Sequence, residues 1–265
     1  MNICAAGHER HETTWHKVTL RGQSGVHEYP PIPEHLAREF WMQLYDHEQY
    51  KGFPGYCPGQ DDICLGIQQS GIWEGYETLV ALQILHEGDR NHGVIDVGAQ
   101  LGWYTLLAAS SGYDVLAVEA HAETLHHLVE SAERNGWRDL VEPVLAWIGK
   151  DTPPAEWTGE YLLLKADIEG AEEHAVRWCR ELFLERRLKY ALLEISPCFN
   201  GSYPELCAWI VGCGYDAYML PSKPDHAVRD AWAVDLWGSL AKCRVDASCV
   251  AGLRQENFLF VRRDA

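Results

Sequence analysis

Four acidic residues, each standing where an apolar run gives out, carry the chemistry of this chain. Asp96 lies in Val94-Ile95-Asp96-Val97-Gly98-Ala99-Gln100-Leu101-Gly102, where a β-branched run meets glycines and an apolar segment follows. Glu119 closes Val115–Val118 twenty-three positions later, Asp167 follows Tyr161–Ala166, and Glu194 precedes Ile195-Ser196-Pro197. The first pattern is that of a buried parallel strand turning tightly into a helix. Such a turn leaves backbone N–H groups and a helix N-terminus facing outward. An acid about twenty residues further on, at the tip of the next strand, is placed to bind a pair of ribose hydroxyls. Asp96 and Glu119 together specify a nucleoside ligand lying across two neighbouring strands.

The spacing also selects among nucleosides. A dinucleotide turn reads G-x-G-x-x-G, and its middle glycine admits the pyrophosphate. Here Ala99, Gln100 and Leu101 separate Gly98 from Gly102, and the chain has no Gly-Lys-Ser/Thr phosphate loop. A small Asp-x-Gly turn suits a ligand with an amino acid at one end, and S-adenosylmethionine is one. On this reading Gly98, Ala99, Gln100 and Gly102 approach the methionine moiety, Asp96 orients the loop or the ammonium, and Glu119 with Ala120 takes the ribose. Trp103 and Tyr104 either face the sulfonium, as rings stabilise soft cations, or pack in the core, which is the expectation for Trp103.

Gly71-Ile72-Trp73-Glu74, the Asp96 loop, Val118-Glu119-Ala120, Asn135-Gly136, Lys165-Ala166-Asp167-Ile168-Glu169-Gly170-Ala171-Glu172 and Glu194-Ile195-Ser196-Pro197 resemble the FkbM-type methyltransferases. The resemblance runs from about Asp61 to Asn257–Val261, and the Asp-Ile-Glu-Gly-Ala-Glu block is its most specific part. Gln100 stands where the family usually has asparagine, Trp103 is bulkier than usual, and residues 1–60 match nothing. The resemblance implies a class I, S-adenosylmethionine-dependent O-methyltransferase with a sugar or secondary metabolite as acceptor. It also implies that Asp167 lies nearest the methyl group and acceptor, beside the cofactor.

Residue chemistry is compatible with that assignment. A doubly acidic turn straight after Tyr161-Leu162-Leu163-Leu164 is costly to bury, so it must open into a cleft or pair, for instance with Lys165. Methyl transfer needs two aligned reactants and removal of a proton from the acceptor. Asp167 or Glu169 could take that proton, with Glu194 as a further contact. Alternatively Asp167, Glu169 and Glu194 could hold a divalent cation such as Mg2+ that lowers the hydroxyl pKa. Glu169 could equally serve the following helix N-terminus, the role expected for Glu172. His174 is a further candidate base. Trp232 and Trp237 are candidate sugar-stacking faces, whereas Trp157 and Trp209 read as packing.

The elements that must position these groups alternate β and α from Trp73 onward. They predict an α/β, Rossmann-like class I methyltransferase fold: a mostly parallel seven-stranded sheet whose last strands make an antiparallel edge. Residues 71–265 form this domain and residues 1–70 an accessory segment over the catalytic face. Within that segment the first thirty residues read as irregular, 34–47 as an amphipathic helix and 52–60 as loop. His8, His11 and His16 read as a mobile tail, and His126 and His127 as surface.

The chain has 265 residues and a formal net charge of −17. That charge argues against a nucleic-acid backbone as partner, leaving a small-molecule acceptor; homo-oligomerisation is left open. Nine cysteines without a C-x-x-C pair indicate neither a disulfide framework nor a zinc site. With no apolar leader and no membrane-length run, a cytoplasmic protein is expected. A carboxylate or amine methyltransferase, a cofactor-binding scaffold without catalysis, and a dinucleotide oxidoreductase are the alternative readings.

Overall fold

The apolar runs that end in acids become the central strands of a single sheet. The computed structural model describes residues 13–20, 31–45, 62–195, 203–221, 231–246 and 256–264. The chain order is β1 (Thr13–Leu20), β2 (Arg38–Tyr45), α1 (Asp62–Ser70), α2 (Gly75–Glu87), β3 (Gly93–Val97), α3 (Trp103–Ser110), β4 (Val115–Glu119) and α4 (Ala122–Arg134). Then follow β5 (Val141–Leu145), β6 (Tyr161–Ala166), α5 (Glu172–Trp178), α6 (Arg180–Leu184), β7 (Leu188–Ile195), α7 (Tyr203–Gly212), β8 (Tyr215–Met219), α8 (Leu236–Ala241), β9 (Arg244–Val245) and β10 (Glu256–Arg262).

Eight of these strands form one sheet in the order β5-β4-β3-β6-β7-β10-β8-β9. From β5 to β7 the neighbours pair in parallel. This is the Rossmann-like class I methyltransferase arrangement. The chain winds outward from β3 through β4 to β5, then returns to lay β6 against the other side of β3. That reversal is the topological switch point, where the crevice outside the strand ends takes ligands. Apolar side chains pack on both sheet faces, as parallel strands require.

Several expectations need correction. The sheet has eight strands rather than seven, because the two-residue β9 pairs with the edge of β8. The last two long strands, β8 and β10, are antiparallel to each other as expected. Strand β10 inserts antiparallel between β7 and β8, which leaves β8 running with the parallel set. The helix expected to follow the acidic turn breaks into α5 and α6 at Cys179. Of the segment read as a helix over 34–47, residues 34–45 are not one: a 3-10 turn at Glu34–Leu36 leads into β2, antiparallel to β1. Phe40, Met42 and Leu44 alternate along that strand into the core, a period of two that outweighs the helical spacing. Within the first thirty residues, read as irregular, 13–20 form β1, and His16 sits in it with Nε2 2.8 Å from Thr14 Oγ1. His8, His11 and the 52–60 loop lie outside the described residues.

The ribbon docks on α4 and α3 and shares their core through Val18, Leu20 and Phe40. Trp15 and Trp41 hold the Arg134 guanidinium between their rings, at 4.5 and 4.3 Å. Asn135 accepts from Trp41 N at 2.8 Å and donates to Trp41 O at 2.7 Å. His127, expected at the surface, is buried here with Nδ1 2.7 Å from Gln43 Oε1; His126 is exposed. Among the described residues no helix is long and apolar enough to cross a membrane, and the described cysteines are free thiols.

Asn135→Ala strands both backbone groups of Trp41, so it should lower unfolding stability by about 2 kcal/mol. Urea denaturation measures this; an unchanged midpoint would show that packing alone holds the ribbon.

Candidate functional site

The tips of β3, β4, β6 and β7 bring the predicted residues to one edge of the sheet. Gly98 must be glycine there. Its φ is +81°, and a Cβ would stand 1.9 Å from the carbonyl oxygen of Asp167. The β3 loop and the acidic turn are therefore in backbone contact, helped by Asp167 N donating to Val97 O at 3.0 Å. Gly98 N and Ala99 N both donate to Val118 O. Gly102, at φ +95°, packs where a Cβ would fall 2.7 Å from Leu128 Cγ.

Glu119 closes this loop from the next strand. Its Oε2 accepts from Gln100 N at 2.9 Å and its Oε1 from His121 N at 2.8 Å, with the residue buried. Ala120 follows it at the strand tip. Gln100 takes the left-handed region at φ 51°, where asparagine is more at home, and its Oε1 accepts from Leu101 N at 2.6 Å. Asp96 turns inward: it is buried, and Oδ2 accepts from Thr105 Oγ1 at 2.6 Å. Burial pushes its carboxyl up to about 6. Asp96 thus fixes the start of α3. Trp103 is core, donating from Nε1 to Thr78 Oγ1 at 2.8 Å.

Across the switch point three carboxylates converge. One oxygen each from Glu74, Asp167 and Glu194 lies within 4.8 Å of the others. Glu74 comes from the residue before α2, in the left-handed region at φ 43°, and accepts from Tyr104 Oη at 2.5 Å. Lys165 projects from β6 into the group, with Nζ 3.4 Å from Asp167 Oδ2 and 3.8 Å from Glu74 Oε2. The pairing of the acidic turn with Lys165 is therefore present. Burial alone would raise Asp167, but Lys165 and a hydrogen bond with Glu194 hold it below its ordinary value. Burial, then Asp167, raises Glu74.

The other candidates are placed differently. Glu169 is exposed at φ 54° and stands outside the three-carboxylate group; burial of its carboxyl, then Asp167, raises it. Glu172 is fully buried. Its Oε1 accepts from Ile168 N and Gly170 N at 3.1 and 3.0 Å, and its Oε2 from Tyr203 Oη at 2.7 Å, so it braces the acidic turn. His174 sits in the first turn of α5, its Nδ1 buried without a hydrogen-bond partner among the described residues. Trp232 offers no sugar face, being 1% exposed and packed edge-on against Tyr76. Trp237 stacks on Tyr190 and donates to Glu87. Ser196 and Pro197 lie outside the described residues.

Sequence reasoning missed three residues. Glu74 appeared only within a matched block, because nothing local shows that the start of α2 reaches the tips of β6 and β7. Trp147 lies just beyond β5, which stops at Leu145. Leu145 pairs with Glu119, and both Leu145 and Trp147 are open, at 56% and 75% exposure. An exposed apolar strip beside the candidate ribose acid is the signal that points to them.

No family model matches the sequence, and no curated protein matches it. Solved structures resemble its fold. The METTL16 methyltransferase domain is 14% identical over 69% of this chain and 64% of that one, with a TM-score of 0.44. The N-terminal domain of human METTL16 in complex with SAH is 17% identical over 71% and 66%, at 0.42. A TehB-like SAM-dependent methyltransferase from Corynebacterium glutamicum is 13% identical over 75% and 94%, at 0.46. The chain thus spans about two thirds of the METTL16 chains it resembles. At these identities the likeness is one of fold.

Glu77, buried one turn into α2, supplies a test of the site's electrostatics. Burial, then Glu74, pushes it up to about 8 from an ordinary 4.5. A carboxyl raised by folding contributes stability below 4.5 that is lost as pH climbs through about 8. At roughly 1.4 kcal/mol per pKa unit this is a loss of a few kcal/mol. Urea midpoints at pH 5, 7 and 9 should fall for the wild type and stay flatter for Glu77→Gln. Parallel profiles would show Glu77 ionising as in the unfolded chain.

Proposed function

We propose that this chain is an S-adenosylmethionine-dependent methyltransferase of the FkbM type that methylates a hydroxyl oxygen of a sugar or secondary metabolite. One observation carries the reading: a loop suited to the donor and a carboxylate cluster suited to the acceptor touch through Gly98 and Asp167 at the switch point. The donor cradle fits the cofactor on three counts. Gly98 lets the β3 loop close against the Asp167 turn, Glu119 keeps lone pairs for ribose hydroxyls beyond its two backbone bonds, and Leu145 with Trp147 offers an apolar face to a nucleobase. Bound there, S-adenosylmethionine supplies an activated methyl group on a sulfonium.

The chain's own residues then have separable tasks. Glu119 and the Gly98–Gly102 loop orient the donor. Asp167, kept ionised by Lys165, accepts a hydrogen bond from the acceptor hydroxyl and aligns its oxygen. Glu74, whose carboxyl is raised, is better matched than Asp167 to take the proton released as the oxygen is methylated. Tyr104 steadies Glu74 through its hydroxyl. The acceptor is a small molecule, with the −17 chain charge unfavourable for a polyanion.

Saturating S-adenosylhomocysteine should stabilise the wild type by about 2.7 kcal/mol at a hundredfold excess over Kd. In Glu119→Ala the same ligand concentration should yield a clearly smaller shift, since one or two charge-assisted hydrogen bonds of roughly 1.5 to 3 kcal/mol each are lost. Thermal denaturation with and without ligand reads both. Equal shifts in wild type and variant would place the ribose elsewhere.

A further inference from the structure

Asp167 and Glu194 were candidates for a divalent cation, and with Glu74 they bring three oxygens within 4.8 Å. The fourth member of the group changes what such a cluster can hold. Lys165 is 2% exposed, and its ammonium lies 3.4 Å from Asp167 and 3.8 Å from Glu74. It also stands 5.1 Å from the centre of the Tyr104 ring, whose hydroxyl is bonded to Glu74. Aromatic face, carboxylates and strand backbone therefore fix this cation from several sides. A divalent ion needs oxygens at about 2.0 to 2.6 Å, stripped of other donors. An ammonium beside two of the same three carboxylates competes for their lone pairs and repels a second cation. Residues do not fit a resident metal here.

We propose that Lys165 is the resident cation of this cluster: its ammonium neutralises Asp167 and Glu74, fixes where they point, and takes the position in the charge balance that a divalent ion would otherwise hold. Lys165 is on this account a positioning residue, and methyl transfer needs no added metal. That consequence for turnover rests on reading the cleft as the acceptor side of a methyltransferase; the cation-binding test does not. Removing the ammonium takes from Asp167 and Glu74 their shared cation and leaves three carboxylates converging. The variant should then acquire the metal site that the wild type lacks.

Mn2+ titration followed by electron paramagnetic resonance tests this directly, since bound ion drops out of the free-ion signal. Wild type should show no saturable site below millimolar Mn2+. Lys165→Met should bind one Mn2+ at least tenfold more tightly than wild type, and Lys165→Met/Glu194→Gln should lose it again. Micromolar binding by wild type, abolished in Asp167→Asn, would overturn the proposal, as would a folded Lys165→Met that binds no Mn2+. If Lys165→Met does not fold, wild type against Asp167→Asn decides alone: a micromolar, Asp167-dependent site overturns the proposal, and none below millimolar supports it. Calorimetry with S-adenosylhomocysteine on the same wild-type preparation separates the two readings, because its failure would remove the methyltransferase and leave the Mn2+ result standing.

Discussion

The backbone carbonyl of Asp167 passes so close to Gly98 that no side chain fits between them, and much of the site's geometry follows from that contact. Strands β3 and β6 are neighbours because the chain reverses direction there, and each ends in a turn that must clear the other. The β3 turn clears it by carrying a glycine at positive φ. The β6 turn does so by folding back on buried Glu172, which collects two of its amides. Glu119 then ties the β3 loop to the tip of β4 from the opposite side. A rigid loop and a rigid acidic turn result, each shaped before any ligand arrives, which is what alignment of two reactants demands.

Charge is the second constraint. Asp96, Glu77, Lys165 and Glu194 are all buried at or near this edge, and isolated ions there would be costly. The fold disposes of them in different ways. Asp96 is bonded to Thr105, Glu77 keeps its proton near neutral pH, and Lys165 answers Asp167 and Glu74 together. Asp167 and Glu74 sit side by side yet are driven in opposite directions, one down and one up. Such a split between adjacent acids separates an orienting group from a proton acceptor.

Much of this edge was legible in the sequence, because β3, β4, β6 and β7 announce themselves as apolar runs and their acids fall at the strand ends. Those four tips converge by the ordinary rule that open parallel sheets gather chemistry at their carboxyl ends. What could not be read were contacts made by topology alone. Glu74 lies some ninety residues before Asp167 and is delivered by a helix start whose path no local pattern reveals. The ribbon was misread because Leu36, Phe40 and Leu44 also fit a helical spacing, and only pairing with β1 decides between the two periods. His127 looked like surface until β2 was laid across α4. Trp147 was hidden by a strand that ends sooner than its apolar content suggests.

On the proposed function, the β3–β4 edge holds a methyl-donor nucleoside and not a dinucleotide. Isothermal titration of the wild-type protein with S-adenosylhomocysteine, and separately with NAD, tests it most directly. Saturable, one-to-one binding of S-adenosylhomocysteine in the micromolar range, with no heat from NAD, is the predicted result. Binding of NAD with silence from S-adenosylhomocysteine would contradict it.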